Sequence, residues 1–159
     1  MKARFETFTV LIAKISRNIR KIKNREMAEY GLRSAHVSCL YYLYLSESLT
    51  ATDLCERCEE DKATISRALD FLEEKDFILC QSKHAKRYNS PLSLTEKGRT
   101  VGKQIVDKIN CVLDEICNDL TEEQRLAFYH SLAVISHSLE LCVNGISKAK
   151  TMKKTDSVG

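Results

Sequence analysis

Apolar residues recur at helical spacing near both ends of the chain. Close to the N-terminus they follow one another at steps of three and four residues, which predicts an amphipathic helix with its charges on the other side. This stripe consists of Phe5, Phe8, Ile12, Ile15, Ile19 and Ile22. Near the C-terminus, Thr121-Glu-Glu-Gln124 is a capping box that opens a last helix, and Gly145 ends it. The apolar face of that helix comprises Leu126, Tyr129, Leu132, Ile135, Leu139 and Cys142.

Two further helices are predicted between these ends. The stretch from Ser34 to Leu45 is apolar nearly all round, which is typical of a buried central helix. Thr95 is the expected cap of a helix of about 24 residues that runs to Leu120 and spans about 36 Å. So long a helix must project out of the segment that precedes it.

Shorter elements fill the middle of the chain. Thr50 or Thr52 caps a short helix that turns Leu54 inward, and Asp61 caps the next helix a few residues later. The apolar stripe of this second helix is formed by Ile65, Leu69 and Leu72. Two short helices this close together predict a helix-turn-helix.

A β-hairpin is predicted directly after the helix-turn-helix. Residues 77–81 and 92–95 are typical of strands, and the loop of residues 82–91 joins them. This loop carries Lys83, His84, Lys86 and Arg87 but no acid, as expected of a segment that lies along phosphates. The fold class is therefore mainly α with a small β-hairpin wing (α+β), in which a winged helix-turn-helix DNA-binding lobe is joined to further long helices.

The helix that begins after Asp61 exposes small and hydrogen-bonding residues near its N-terminal end. They are Lys62, Ala63, Thr64, Ser66 and Arg67. A helix that enters a major groove needs short side chains for close approach and an Arg that can bind guanine O6 and N7. We therefore predict that Thr64 and Arg67 contact base edges and that Lys83, Lys86 and Arg87 meet phosphate or the minor groove. The alternative is an ordinary amphipathic helix with a solvated polar face.

The order and spacing of seven segments resemble the multiple antibiotic resistance regulator (MarR) family over roughly residues 5 to 145. The segments are Gly31-Leu32, Val37 with Leu40, Leu49-Thr50, Asp53-Leu54, Asp61 to Arg67, Leu72 to Ile78, and Leu94 to Gly98. Two features depart from the family. In the wing, Tyr88 stands where many members have Arg, and Arg87 lies one residue earlier without a preceding Asp. The absence of a Cys before Cys39 argues against the peroxide-sensing branch, whose reactive Cys lies near the N-terminus.

The resemblance implies a homodimeric transcriptional repressor that binds double-stranded DNA. Its recognition helices would enter major grooves about 34 Å apart on a pseudo-palindromic operator. We expect one domain over residues 1–159, with the DNA-binding lobe at 32–96, dimerisation helices at 5–28 and 97–146, and a frayed basic tail at 147–159. The expected dimer contacts are Phe5, Phe8, Ile12, Ile15, Leu132, Ile135 and Leu139. An intramolecular helical bundle is the alternative.

Family members often bind small aromatic or anionic effectors between the dimerisation helices and the DNA-binding lobe. The residues that the resemblance places there are Tyr30, His36, Cys39 and Tyr42, for each of which core packing is the alternative. Cys55-x-x-Cys58 offers a second mode of regulation, as a metal-binding or redox-active thiol pair. A winged helix that serves only as a protein-interaction module is a third possibility.

Composition narrows the class of protein. Apolar residues make up 43% of the chain and charged residues 30%, the net charge is +3, and basic residues concentrate in the first 25 positions. No signal peptide or transmembrane run is expected, which predicts a cytoplasmic protein without a membrane partner. The seven Cys fit a reducing compartment. The sequence carries no phosphate-binding loop, nucleophile elbow or His-Glu-x-x-His motif, so we expect no enzymatic activity, cofactor or metal.

Overall fold

The computed structural model describes residues 4–46, 48–80 and 90–145, with side chains from Glu6 onward. Three residues expected at the wing tip, Lys83, Lys86 and Arg87, lie outside this range, as does the tail 147–159. The side chain of Phe5 is outside it as well.

The described residues form six α-helices and one β-hairpin, which confirms the predicted fold class. In chain order the elements are α1 (Arg4–Glu26), a 3₁₀ turn (Ala28–Tyr30), α2 (Ser34–Leu45), α3 (Ala51–Cys58), α4 (Lys62–Glu74), β1 (Ile78–Cys80), β2 (Leu92–Leu94), α5 (Glu96–Cys117) and α6 (Glu122–Val143). The chain divides into two compact units, residues 1–111 and 112–159.

Helix α5 ends at Cys117, three residues before the predicted end at Leu120. The backbone N–H of Asn118 donates to the carbonyl of Glu115 at 3.4 Å, and that of Leu120 donates to Cys117 at 3.0 Å. These bonds reach back three residues instead of four, so they tighten the backbone and stop the α-helical ladder. No Gly or Pro marks this end in the sequence, which is why periodicity placed it too late.

The core of the first unit surrounds α2, as predicted. Cys39 and Leu40 of α2 are fully buried, and α1, α3, α4 and β2 pack around this helix. The apolar stripe of α4 (Ile65, Leu69 and Leu72) and Leu54 of α3 complete the centre. Removing this apolar surface from water is the main contribution to the stability of the lobe.

The caps explain where α3 and α4 begin. Thr50, rather than Thr52, caps α3: its Oγ1 accepts a hydrogen bond from the Asp53 N–H at 3.2 Å, and Asp53 Oδ2 accepts one from the Thr50 N–H at 2.7 Å. Glu59 then adopts a left-handed conformation with φ of 53°, which ends α3. Asp61 caps α4 two residues later, so the turn between the helices is short.

The hairpin is antiparallel and is anchored to α5. Ile78 pairs with Leu94 and Cys80 with Leu92. Thr95 caps α5 as predicted, because its Oγ1 accepts a hydrogen bond from the Gly98 N–H at 2.9 Å. The same hydroxyl donates to the Asp76 carbonyl at 2.7 Å. One side chain therefore connects the end of the helix-turn-helix to the start of α5.

Helix α6 begins at the predicted capping box of Thr121 and Gln124 and carries no buried residue among those described. Its length and mean hydropathy would allow it to span a membrane, which corrects the expectation that no segment of the chain passes this test. In addition to the predicted apolar stripe, the helix carries Ala127, Ala133 and Val134, which raise its mean hydropathy. A single helix of this composition is weak evidence for a membrane span, since helices covered by other protein share it.

Candidate nucleic-acid interface

The five α4 residues predicted to contact DNA lie together on the first two turns of that helix. Lys62, Ala63 and Arg67 are exposed, whereas Thr64 and Ser66 are half-buried. The opposite face carries the stripe that packs into the core. Because that stripe fixes the rotation of α4, the polar face has a defined direction at the surface of the lobe.

Hydrogen bonds connect the start of α4 to its arginine. The Asp61 Oδ1 atom accepts from the Thr64 N–H at 2.8 Å, and Oδ2 accepts from the Thr64 hydroxyl at 3.0 Å. The Arg67 Nη2 atom donates to Thr64 Oγ1 at 3.5 Å. The Thr64 N–H, then its hydroxyl, hold the pKa of the Asp61 carboxyl below its usual range. The helix therefore places the Arg67 guanidinium beside Thr64 on its exposed face.

The root of the hairpin is held by contacts with the start of α5. Lys97 Nζ donates to the Lys75 carbonyl at 2.7 Å and lies 4.3 Å from the centre of the Phe77 ring. The Phe77 side chain is buried. These contacts hold the residues before β1 against the start of α5.

A cavity of about 240 Å³ lies in the first unit, beside α2. Its polar lining includes Lys23, Ser38, Tyr41, Tyr42, Arg57 and Cys58, and Val37 and Ile109 supply apolar surface. Sequence reasoning missed Lys23 and Arg57, because a lysine in a basic helix and an arginine near a helix end are usually solvated. The half-burial of Lys23 lowers its pKa, although the nearby Cys58 and Glu60 oppose that effect.

Of the four residues proposed to line an effector pocket, Tyr42 lines this cavity. Tyr30 instead donates its hydroxyl to Gln104 Oε1 at 2.6 Å, and the His36 ring stacks on Phe71 with 4.3 Å between ring centroids. Burial, and then the charge of Arg33, lower the pKa of His36. Cys39 is fully buried. None of these three residues is among those that line this cavity, and Tyr30 and His36 are half-buried.

The two thiols of Cys55-x-x-Cys58 do not form a metal centre with other described residues, since no group of three or more His, Cys, Asp or Glu side chains gathers in the described part of the chain. The pKa of Cys58 is lowered, chiefly by its interaction with Cys39 of α2 and against the opposing effect of burial.

Known proteins are similar to this lobe in sequence and to the chain in fold. A sequence profile of the MarR family matches residues 30–87. The HTH-type transcriptional regulator SarZ of Staphylococcus epidermidis is 28% identical over 109 residues, which cover 69% of this chain and 72% of SarZ.

Two solved structures share the fold with this chain. A Staphylococcus aureus MepR–DNA complex aligns with a TM-score of 0.75 and 19% identity, over 86% of this chain and 99% of MepR. A Staphylococcus aureus MarR in complex with salicylate and kanamycin aligns with a TM-score of 0.74 and 17% identity, over 86% of this chain and 91% of that one. In the sequence of residues 30–87 the chain is therefore similar to the MarR family, and in fold it is similar to solved MarR regulators.

Proposed function

We propose that the chain is a sequence-specific DNA-binding repressor that acts in the cytoplasm as a homodimer on a pseudo-palindromic operator. The observation that carries this proposal is the exposed N-terminal face of α4, where Thr64 holds Arg67 above a buried apolar stripe. An ordered guanidinium on a helix can bind guanine bidentately in the major groove. The DNA complex of the structurally similar MepR supports the same use of the fold.

Within this proposal, base reading belongs to α4 and backbone binding to the wing. Lys62, Ala63, Thr64, Ser66 and Arg67 form the reading surface. Lys83, Lys86 and Arg87 of the loop between β1 and β2 supply positive charge for phosphate or the minor groove. Phosphate contacts position a protein on DNA, whereas base contacts give specificity, so the two groups have different roles.

The apolar surfaces of two helices support a homodimer. On α1, Phe8, Ile12 and Ile15 are exposed, the last by 48%. On α6, Ile135 and Leu139 are exposed and Leu132 is half-buried. Contiguous apolar surface of this kind is rare on monomeric soluble proteins and is normally covered by a partner. A second copy of the chain, related by a two-fold axis, would cover each stripe and place two α4 helices on one DNA site.

A small anionic or aromatic molecule is the effector that the cavity beside α2 fits best. Lys23 and Arg57 contribute positive charge there, and Tyr41 and Tyr42 contribute aromatic surface. The volume of about 240 Å³ suits a molecule of modest size. The structurally similar Staphylococcus aureus MarR was solved with salicylate, which is such a molecule.

The proposal is tested by selection of binding sites from a fragmented genomic DNA pool with the full-length protein. We expect enrichment of one pseudo-palindrome whose half-sites are centred about one helical turn apart. A winged helix that serves only as a protein-interaction module would enrich no sequence, and that result would overturn the proposal. Repeating the selection at two salt concentrations separates sequence-specific binding from attraction to phosphate alone.

A further inference from the structure

The start of α2 meets α4, the helix proposed to read DNA, through two stacked rings. The His36 ring of α2 and the Phe71 ring of α4 lie 4.3 Å apart between centroids, with 3° between their planes. Both side chains are half-buried. Phe71 also lies close to the Gly31 backbone, since a Cβ at Gly31 would stand 3.9 Å from the Phe71 Cζ atom. His36 therefore connects the segment that leads into α2 with α4.

A hydrogen bond ties the same histidine ring to the start of its own helix. The Arg33 N–H donates to His36 Nδ1 at 3.1 Å, which is the arrangement of a capping box. The next N–H, that of Ser34, donates to Asn24 Oδ1 of α1 at 2.7 Å. Two side-chain acceptors thus hold the backbone where α2 begins. One of these acceptors, the imidazole, can be protonated.

Protonation of His36 is incompatible with its bond to Arg33. An imidazole that accepts at Nδ1 carries its proton on Nε2, so a second proton has to bind at Nδ1. Both ring nitrogens then donate, and the Arg33 N–H faces another donor. The new charge also lies near the positive end of the α2 dipole. Attraction between the charged ring and the face of Phe71 opposes these effects, but it restores no acceptor to the Arg33 N–H.

The surroundings of the ring favour its neutral form. Burial lowers the pKa of His36 most, and the positive charge of Arg33 lowers it further. The elements around this contact carry further charges, which are Lys23 and Arg25 beside Asn24 in α1, Glu29 in the 3₁₀ turn, and Asp70 and Glu74 around Phe71 in α4. The three acids Glu29, Asp70 and Glu74 are exposed, so solvent screens their attraction for a proton on the ring. The ring is therefore neutral near pH 7 and is protonated only in acidic solution.

We propose that His36 is a pH-sensitive contact between α2 and α4 that acid releases. When Nδ1 takes a proton from water, the hydrogen bond from Arg33 breaks and the ring turns away from Phe71 toward solvent. The start of α2 loses one of its two side-chain acceptors, and α4 loses the ring stacked on it. The consequence for DNA binding rests on the proposed function, whereas the release of the contact does not.

The first experiment follows the full-length protein by NMR between pH 8 and pH 5, without DNA. We expect the neutral His36 ring to carry its proton on Nε2 and to titrate with a midpoint below about 6.5. At the same midpoint the NOE between the His36 and Phe71 rings should weaken. The protection factor of the Arg33 N–H, which corrects for the pH dependence of exchange itself, should fall at least about threefold.

Stability should follow the same proton. Because the pKa of His36 is lower in the folded state than in the unfolded state, its contribution is fully present above about pH 6.5. It is lost as the pH falls from there through the folded-state pKa.

Three variants assign the effect to this contact. His36→Gln keeps an acceptor for the Arg33 N–H, as glutamine does in a capping box, but it does not titrate, so the protection factor should no longer depend on pH. Phe71→Leu keeps apolar volume but uncovers the face of the imidazole, so the His36 midpoint should rise. His137→Gln removes an exposed histidine of α6 and should respond to pH as the wild type does. If Phe71→Leu does not fold, the wild-type titration and His36→Gln are sufficient to decide.

A second experiment tests whether the contact affects DNA binding. The affinity of the wild type for its operator should fall at least about threefold from pH 7.5 to pH 5.5, and that of His36→Gln should change clearly less. A wild-type affinity that stays constant while the NMR titration proceeds would remove the link to DNA. If no operator is bound at any pH, the proposed function fails, and the NMR titration still decides the inference.

Other results of the NMR experiment would contradict the proposed contact itself. One is a His36 midpoint at or above 6.5, or a neutral ring with its proton on Nδ1. Another is an Arg33 N–H whose protection stays constant while His36 titrates. A pH response of this N–H that persists in His36→Gln would assign the effect to another group.

Discussion

The Asp61 carboxylate accepts two hydrogen bonds from Thr64, one from its N–H at 2.8 Å and one from its hydroxyl at 3.0 Å. The first bond satisfies a backbone donor that the start of α4 would otherwise leave unpaired. The second fixes the side chain on which the Arg67 guanidinium rests. The residue that starts the helix therefore also orders the face proposed to read DNA.

Replacing Asp61 should affect both the start of α4 and the order of its exposed face. In Asp61→Ala the Thr64 N–H loses its acceptor, so we expect faster hydrogen exchange at residues 62–64 and weaker binding to the operator. Asp61→Asn, which keeps an acceptor oxygen, is the control and should retain most of the protection. An Asp61→Ala protein with wild-type exchange and wild-type affinity would show that the cap orders nothing at this surface.

The caps also predict how stability depends on pH. The backbone N–H of Thr50, and then its hydroxyl, hold the pKa of Asp53 below its ordinary value, as the corresponding groups of Thr64 do for Asp61. A carboxyl whose pKa is lower in the folded state stabilises the fold fully above its unfolded pKa of about 4, and this contribution is lost as the pH falls through the folded pKa.

We therefore expect these two groups to leave Tm unchanged between pH 7 and pH 5 and to lower it in more acidic solution. Titration of both carboxyl carbons by NMR, beside thermal melts over the same range, is the measurement. Midpoints at or above the ordinary aspartate value would contradict the assigned hydrogen bonds.

Gly98 and Gly102 are both buried on α5, so the same substitution at each position can be compared. A Cβ at Gly98 would collide with the Phe77 carbonyl oxygen, whereas one at Gly102 would touch the Tyr44 side chain at 3.0 Å. The backbone at Phe77 belongs to the root of the hairpin and cannot yield easily, but a tyrosine side chain can move by a few tenths of an ångström. We expect Gly98→Ala to destabilise the fold by about 2 kcal/mol or more, and Gly102→Ala by clearly less. Chemical denaturation of both variants is the check, and the reverse order would refute the close approach.

The proposed dimer predicts different effects for two neighbouring residues of α1. Ile12 belongs to the apolar stripe, whereas Lys14 is a charged exposed residue. Ile12→Glu should raise the dimer Kd at least about tenfold, because a carboxylate would have to leave water on association. Lys14→Glu reverses a charge on the same helix and should change the Kd much less. Sedimentation equilibrium measures both, and a dimer that tolerates Ile12→Glu would place the interface elsewhere.

Local signals in the sequence were enough to predict most of the fold. The caps Asp61, Thr95 and Thr121 placed the starts of α4, α5 and α6, because each cap depends on residues within one turn. The end of α5 escaped prediction because it depends on backbone geometry that no side chain marks.

The candidate sites also differ in how far local sequence could predict them. The reading face of α4 could be predicted, since one helix carries all of it. The cavity could not, because Lys23, Tyr42 and Arg57 come from three helices whose packing decides which side chains meet.

Mutations in the wing and in α4 should change DNA affinity in different ways. Lys86→Ala in the wing should weaken binding to all duplexes alike and flatten the slope of log affinity against log salt by about one per subunit. Arg125→Ala on α6, outside the helix-turn-helix, removes the same kind of charge as a change at Arg67 and should leave the ratio of specific to nonspecific affinity unchanged.

The most direct measurement of the central claim compares Arg67→Ala with the wild type on the selected operator and on a scrambled duplex, at several salt concentrations. Loss of a bidentate contact to a base should cost about 1 to 3 kcal/mol per half-site on the operator and relax the preference at one base pair. Binding to the scrambled duplex should change little, so the specificity ratio falls. If Arg67→Ala instead weakens both duplexes equally, Arg67 binds phosphate, and the assignment of α4 as the reading helix through this residue is wrong.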